Sequence, residues 1–307
     1  MVNNKEVLDL LPLEIKDIVG KVNNIQLLQE IRIKINKPLI LFVGEKEIVN
    51  SYLVSREDMS IIMKRISNYS IYSIEDEIKQ GYVTLKGGHR VGICGNCVLE
   101  GNKIRTIKNV SSINIRICRE VIGCSSKVIP YIISKGQILN TIIISPPKCG
   151  KTTLVRDIVR TISDGLDGTK SSGKKVCVID ERSEICSSYE GIPQLNVGIR
   201  TDVMDACPKS EGIMMAIRSM APDVIACDEI GSIEDIKSIM IALSCGINMI
   251  TTIHGFGIED IYNRKLYENI VINNVFQRAV VLSVKRGVGT VEYIYDFISK
   301  EKMRGIK

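Results

Sequence analysis

Hydrophobic positions along this chain of 307 residues change their period repeatedly. From Val7 to Val19 apolar residues recur at helical spacing, which predicts a short amphipathic opening with Pro12 near its start or in a kink. The period then drops to two. EIRIKI alternates charge with isoleucine, PLILFV is an apolar run, and EKEIV completes a small meander. Ser55 is placed to cap a helix carrying Met59, Ile62, Met63 and Ile66, and Ile74 to Lys79 predicts a second short helix. The glycine-punctuated stretch from Gly81 to Ile107 predicts several short strands, closed by the alternation INIRICR. The first part of the chain therefore reads as a compact α+β module.

Between Gly123 and Gln137 small residues, Pro130 and Gly136 interrupt the pattern. A domain boundary is expected there, with residues 1–130 as an amino-terminal α+β domain and 131–307 as a second domain. Beyond it strands and helices alternate. TIIIS, KKVCVID, DVIACDE and NMITTIH predict parallel strands, separated by helical stretches led by Thr152, Ser210 and Ser232. That order implies an α/β sheet covered on both faces. Thr161 to Lys175 is polar and glycine-bearing, as a surface loop is, and FQRAVVLSVK and TVEYIYDFI, joined by RGVG, predict a terminal hairpin.

A hydrophobic content of 45% with 25% charged residues is ordinary for a globular chain with real cores, and nothing in it suggests disorder. The formal net charge of +6 is too mild to demand nucleic acid or an anionic membrane. Ten cysteines are scattered singly, as reduced cytosolic thiols are. Cys94 and Cys97 form a C-x-x-C without a second pair at zinc spacing, and are expected as buried or half-buried small apolar residues. No signal peptide opens the sequence, and the longest apolar candidate, Ile239 to Ile253, is too short to span a bilayer and is broken by Ser244, Gly246 and Asn248.

Candidate chemistry begins at SPPKCGKTT, which follows the TIIIS strand and opens the helical stretch LVRDIV. Strand, loop and helix in that order build a nucleotide-phosphate loop, here Ser145, Pro146, Pro147, Lys148, Cys149, Gly150, Lys151, Thr152 and Thr153. Backbone N–H groups face the phosphates, Lys151 reaches the β and γ oxygens, and the Thr152 hydroxyl is placed to ligate Mg²⁺. Ser145 stands where the first glycine of the pattern belongs, and Lys148 fills an interior position that is often small. Serine there must keep a negative φ or tolerate strain.

In a parallel sheet the strand ends converge on one ligand. Asp180, Glu181 and Glu184 follow one strand, Asp228 and Glu229 a second, and His254 a third. Each alone is a weak signal, because such acids also cap helices and such a histidine also packs structurally. Together with the phosphate loop they match a nucleoside triphosphate hydrolase. Asp228 orients Mg²⁺, and Glu229 is the first choice to polarise the attacking water, with Glu181 and Glu184 as rivals. His254 either senses the γ-phosphate or packs at the switch of the sheet.

The succession SPPKCGKTT, IDERSE, AIRSMAPDVIACDEIGSIEDI and TTIHG resembles the phosphate loop, acidic box, Walker B segment and histidine box of the secretion and pilus-retraction ATPases. EIRIKINKPL, GYVTLKGGHRVGICG, SSINIRICREVIGC, DERSEI, RTDVMDACPK and IRSMAPDVIACDEIG are similar to the stage III sporulation protein AA family, a set spanning nearly the whole chain. The resemblance implies a RecA-like P-loop ATPase core with a smaller amino-terminal α+β domain, using ATP and Mg²⁺ and no further small-molecule substrate. It implies a homo-hexameric ring motor completed by arginines from outside the catalytic core. Arg90, Arg116 and Arg119 are the amino-terminal candidates, and Arg200 and Arg218 those within the core. It further implies a mother-cell ATPase at the channel between mother cell and forespore. Such a protein is cytoplasmic, peripheral at the mother-cell face of the forespore membrane, and partnered by the membrane proteins of the channel.

Two other readings compete. A nucleic-acid translocating RecA-like ATPase would share the loop, the acids and the ring, but the chain has no tryptophan, four phenylalanines and no long basic tract, so no stable nucleic-acid complex is expected. A noncatalytic nucleotide-dependent assembly scaffold would fit the altered loop. It would have no chemical need for Lys151, Thr152, Asp228 and Glu229 together.

Overall fold

Pro12 divides the opening apolar stretch, because its ring cannot continue a helix. Helix α1 (Lys5–Leu10) stops before it and α2 (Leu13–Gly20) starts after it, with Pro12 at the N-cap. This arrangement comes from a computed structural model that describes residues 5–69, 74–165 and 172–303. The chain forms two compact units, Met1–Glu120 with Ser187–Leu195, and Val121–Cys186 with Asn196–Lys307.

In the first unit the expected meander is β1 (Leu28–Lys34), β2 (Pro38–Val43) and β3 (Lys46–Leu53). Helix α3 (Arg56–Ile66) follows behind a capping box, in which Ser55 Oγ accepts from Asp58 N at 3.0 Å and the Asp58 carboxylate accepts from Ser55 N at 2.8 Å. After α4 (Glu75–Lys79) come β4 (Tyr82–Thr84), β5 (Arg90–Glu100) and β6 (Lys103–Arg116). The strands form one antiparallel sheet in the order β3-β2-β1-β6-β5-β4. Its core joins Ile31, Leu41 and Ile113 to Val7, Ile15 and Ile62 of the helices.

Two expectations are corrected here. Only β4 is a short strand in the stretch from Gly81 to Ile107; the rest from Arg90 onward runs into one long hairpin of β5 and β6. In it a bulge between Cys94 and Asn96 brings Gly95 so close to the opposite backbone that a Cβ would lie 2.6 Å from the Lys108 carbonyl oxygen. Cys94 and Cys97 are exposed rather than buried, because the distal arms of that hairpin, residues 94–109, carry no buried side chain.

The second unit begins earlier than expected, at Val121. The Asp157 carboxylate accepts from Gly123 N at 3.0 Å and Ser125 N at 2.7 Å, which ties residues 121–130 to it. Its elements are α5 (Ile129–Ile132), a small ribbon of β7 (Ile133–Ser134) and β8 (Gln137–Ile138), β9 (Thr141–Ser145), α6 (Lys151–Asp164), β10 (Val176–Asp180), β11 (Thr201–Asp205), α7 (Lys209–Ser219) and β12 (Val224–Glu229). There follow α8 (Ile233–Ser244), β13 (Asn248–His254), α9 (Glu259–Asn263), α10 (Glu268–Ile272), β14 (Arg278–Ser283), β15 (Thr290–Asp296) and β16 (Glu301–Met303). The eight-stranded sheet runs β11-β10-β12-β13-β9-β14-β15-β16, with the first six strands parallel.

Burial on both faces explains why these strands read as unbroken apolar runs. Ile142, Ile144, Ile179 and Ile225 pack beneath α7 and α8, while Ile143, Val178, Ala226 and Ile250 pack beneath α6. Strand β11 escapes the apolar pattern, since TDVMD lies at the sheet edge with no fully buried residue. The expected loop from Thr161 is helical as far as Asp164, and residues 166–171 of it lie outside the described residues.

Candidate functional site

Strands β9, β13, β12 and β10 end along one edge of the parallel sheet, so the topology brings Ser145, His254, Glu229 and Asp180 to that edge. His254 pairs in register with Ser145. A bulge in β12 between Ala226 and Glu229 inserts an extra residue against β13, which re-aims the two terminal acids.

Ser145 is fully buried at the end of β9 and does not take the left-handed conformation that glycine would allow. Its carbonyl faces the site instead. Further along the loop, Lys148 (φ 62°) and Gly150 (φ 87°) supply the left-handed turns, and Gly150 is the N-cap of α6. The loop after β14 braces this bend, with Gly289 N donating to the Cys149 carbonyl at 3.1 Å. Thr152 and Thr153, both half-buried, lie in the first turn of α6, where backbone N–H groups lack helical partners and the dipole favours anions.

Lys151 links the loop to the acidic strand ends. Its Nζ donates to the Ser145 carbonyl at 3.0 Å and lies 2.6 Å from His254 Nδ1, while His254 Nε2 lies 2.9 Å from a Glu229 carboxylate oxygen. A protonated lysine can only donate, so Nδ1 must accept, and Nε2 carries the proton directed at Glu229. Burial lowers the Lys151 pKa, opposed by the negative charges of Glu229 and Glu184.

Beside this chain lies a second arrangement centred on a residue the sequence reading did not select. Lys209 Nζ donates to Glu181 Oε2 at 2.6 Å and makes a short hydrogen bond to Asp228 Oδ1, with its side chain only 5% exposed. Burial disfavours the charge on Lys209, but the two carboxylates more than offset it and the pKa is raised. The signal available in sequence was a cation at the first position of a helix, against the helix dipole.

Asp180 plays a different part from its neighbours. Fully buried, it accepts from Glu184 N and Cys186 N, each at 2.8 Å, and so shapes the turn that carries Glu181 and Glu184. Burial pushes its carboxyl up to about 6, against the pull of those backbone donors. The amino-terminal arginines belong to the other unit. Arg90 stacks over Tyr82, its guanidinium carbon 3.5 Å from the ring centroid, and Arg116 is exposed at the end of β6, opposite Glu30 and Arg90 in register. Arg119 donates to the carbonyls of Leu28 and Gln26, Arg200 donates to that of Ser163, and Arg218 is exposed.

Among the described residues no group of three or more His, Cys, Asp or Glu could hold a metal ion. The Thr152 hydroxyl and Asp228 carboxylate are hard oxygen donors, few in number. They suit a Mg²⁺ that takes its remaining ligands from phosphates and water.

The chain matches the family described as "Sporulation stage III, protein AA" over residues 1–302. It is 41% identical over 293 residues to stage III sporulation protein AA of Bacillus subtilis (strain 168), covering 95% of this chain and 94% of that protein. Among solved structures it is similar to the pilus retraction motor PilT with bound ADP, at a TM-score of 0.58 and 14% identity, covering 86% of this chain and 76% of that one. It is likewise similar to the Legionella pneumophila ATPase DotB, at a TM-score of 0.56 and 16% identity, covering 88% and 74%. These similarities are of fold, a mixed α/β architecture whose large parallel-rich sheet is that of a RecA-like core.

Proposed function

The chain belongs to the sporulation stage III protein AA family, and we propose that it is a Mg²⁺-dependent ATPase of the secretion-motor type. The observation that carries this reading is the hydrogen-bonded succession Lys151, His254, Glu229, which joins the phosphate loop to the strand-end acid.

In this reading the loop from Ser145 to Thr153 binds the phosphates through backbone N–H groups. Lys151 offsets charge developing on the γ-phosphate and the leaving oxygen. Thr152 and Asp228 would hold Mg²⁺, which supplies charge neutralisation at the phosphates. Glu229 polarises the attacking water, and His254, donating from Nε2, orients the Glu229 carboxylate. Because His254 also accepts from Lys151, phosphates that draw Lys151 away loosen the far end of the same chain. His254 thus reports nucleotide occupancy to Glu229. Glu181 and Glu184 serve as supporting acids on the turn held by Asp180.

The wider reading takes its support from family membership. The chain works as a homo-hexameric ring, in which Arg116 or Arg90 of the amino-terminal unit completes the site of an adjacent subunit. Its partners are membrane proteins of the mother cell to forespore channel, and it acts as a peripheral protein on the mother-cell side. Hydrolysis then drives assembly of the channel or transport through it.

Glu229→Gln separates binding from chemistry. We expect ATP affinity within about threefold of wild type by calorimetry and turnover reduced at least 100-fold, comparable to removing one directed polar group from a catalytic site. Wild-type turnover in this variant would remove Glu229 from the water-activating role.

A further inference from the structure

Lys209 is an expensive residue for its position. It opens α7 at the positive end of the helix dipole, and its ammonium is removed from water. Packing alone would be served by a methionine of similar length without the desolvation cost. Its two partners are specific: Asp228, which ends β12, and Glu181, the first residue after β10. The charge of Glu184 also acts on Asp228.

We propose that Lys209 is a tethered positioning cation that prevents Asp228 and Glu181 from capturing a divalent metal by themselves, so that the site takes metal only together with nucleotide phosphates. A divalent ion approaching Asp228 meets an ammonium already hydrogen-bonded to that carboxylate and itself shielded from water, and like charges at this range repel. Phosphate oxygens change the balance by adding negative ligands from the substrate. Metal and nucleotide binding then become coupled, each raising the affinity of the other by the same factor. Uncoupled metal binding would place a second positive charge against Lys209, and phosphate-free metal would hold Asp228 away from its working position. The role in coupling rests on the ATPase reading of the site; the exclusion of free metal does not.

Electron paramagnetic resonance of Mn²⁺ titrated into the full chain without nucleotide tests this directly. Lys209→Met, which keeps length and removes charge, is expected to bind Mn²⁺ at least about tenfold more tightly than wild type, while Lys209→Arg stays within about twofold. Lys209→Gln serves as a second neutral variant if the methionine variant does not fold by circular dichroism. Repeating the titration with ADP should show a large nucleotide-induced gain in wild type and a much smaller one in the neutral variant. A folded neutral variant with wild-type Mn²⁺ affinity overturns the proposal, as does an arginine variant that gains as much as the methionine one. Absence of any ADP effect in wild type would count instead against the ATPase reading, because the nucleotide-free comparison of variants stands without it.

Discussion

Gly150 holds its left-handed φ at a point where a side chain would also meet other atoms: an added Cβ would lie 3.3 Å from Val288 Cγ1 and 3.4 Å from Gly289. Gly150→Ala should therefore lower stability by about 1–2 kcal/mol, the cost of a non-glycine residue in that region, and weaken ATP binding at least tenfold. Calorimetry checks the second figure, and wild-type affinity would mean that this loop is not the phosphate site. Asp180 offers a pH-dependent test. Its carboxyl, pushed up to about 6, sits above the unfolded value of 3.8, so the folded chain binds the extra proton between about pH 4 and pH 6. Stability from this group is then greatest at low pH and falls by up to about 3 kcal/mol as pH rises through that window. Asp180→Asn removes the slope and also loses one carboxylate acceptor for the Glu184 and Cys186 amides. In denaturant unfolding, its deficit relative to wild type should shrink between pH 4.5 and pH 7; a deficit that grows would contradict a burial-dominated shift. At this scale the contact of Lys151, His254 and Glu229 in the candidate site was legible, since each falls in a motif at the end of a parallel strand or the start of the helix after it. Lys209 was not, because its hydrogen bonds reach two carboxylates 28 and 19 positions away.

Among the elements, α6 links loop and fold. Its amino terminus carries the phosphate loop, and Asp157 within it receives the Gly123 and Ser125 amides together with the Arg160 guanidinium. Burial works against the charge on Asp157, yet these donors hold its carboxyl below the usual range. Asp157→Ala leaves those donors without a buried acceptor and should destabilise the chain by about 2–4 kcal/mol, with faster amide exchange at residues 123–125. Unchanged exchange there would mean that the segment is held by other means. The same contact explains why the boundary at residue 130 was misplaced. Pro130 and Gly136 signal a break in periodicity, whereas the tether at residues 123–125 is a long-range contact that no local pattern reports. The parallel strands were legible because burial on both faces leaves continuous apolar runs, and β11 was not because an edge strand has no such requirement.

At the scale of the whole molecule, family membership and the RecA-like architecture agree with the succession of motifs along the chain. The excursion of Ser187–Leu195 into the first unit had no such marker. It is fixed there by Gly87 N donating to Gln194 Oε1 at 2.8 Å and by Ser187 Oγ 3.6 Å from Cys118 Sγ, contacts between residues far apart in sequence. The measurement that tests the central claim most directly is Mg²⁺-dependent ATP turnover per chain across a range of protein concentrations, with Lys151→Ala as the control. The account predicts turnover that is absent from the variant and rises per chain as subunits assemble and supply one another's arginines. Turnover no greater than that of Lys151→Ala at any concentration would contradict it.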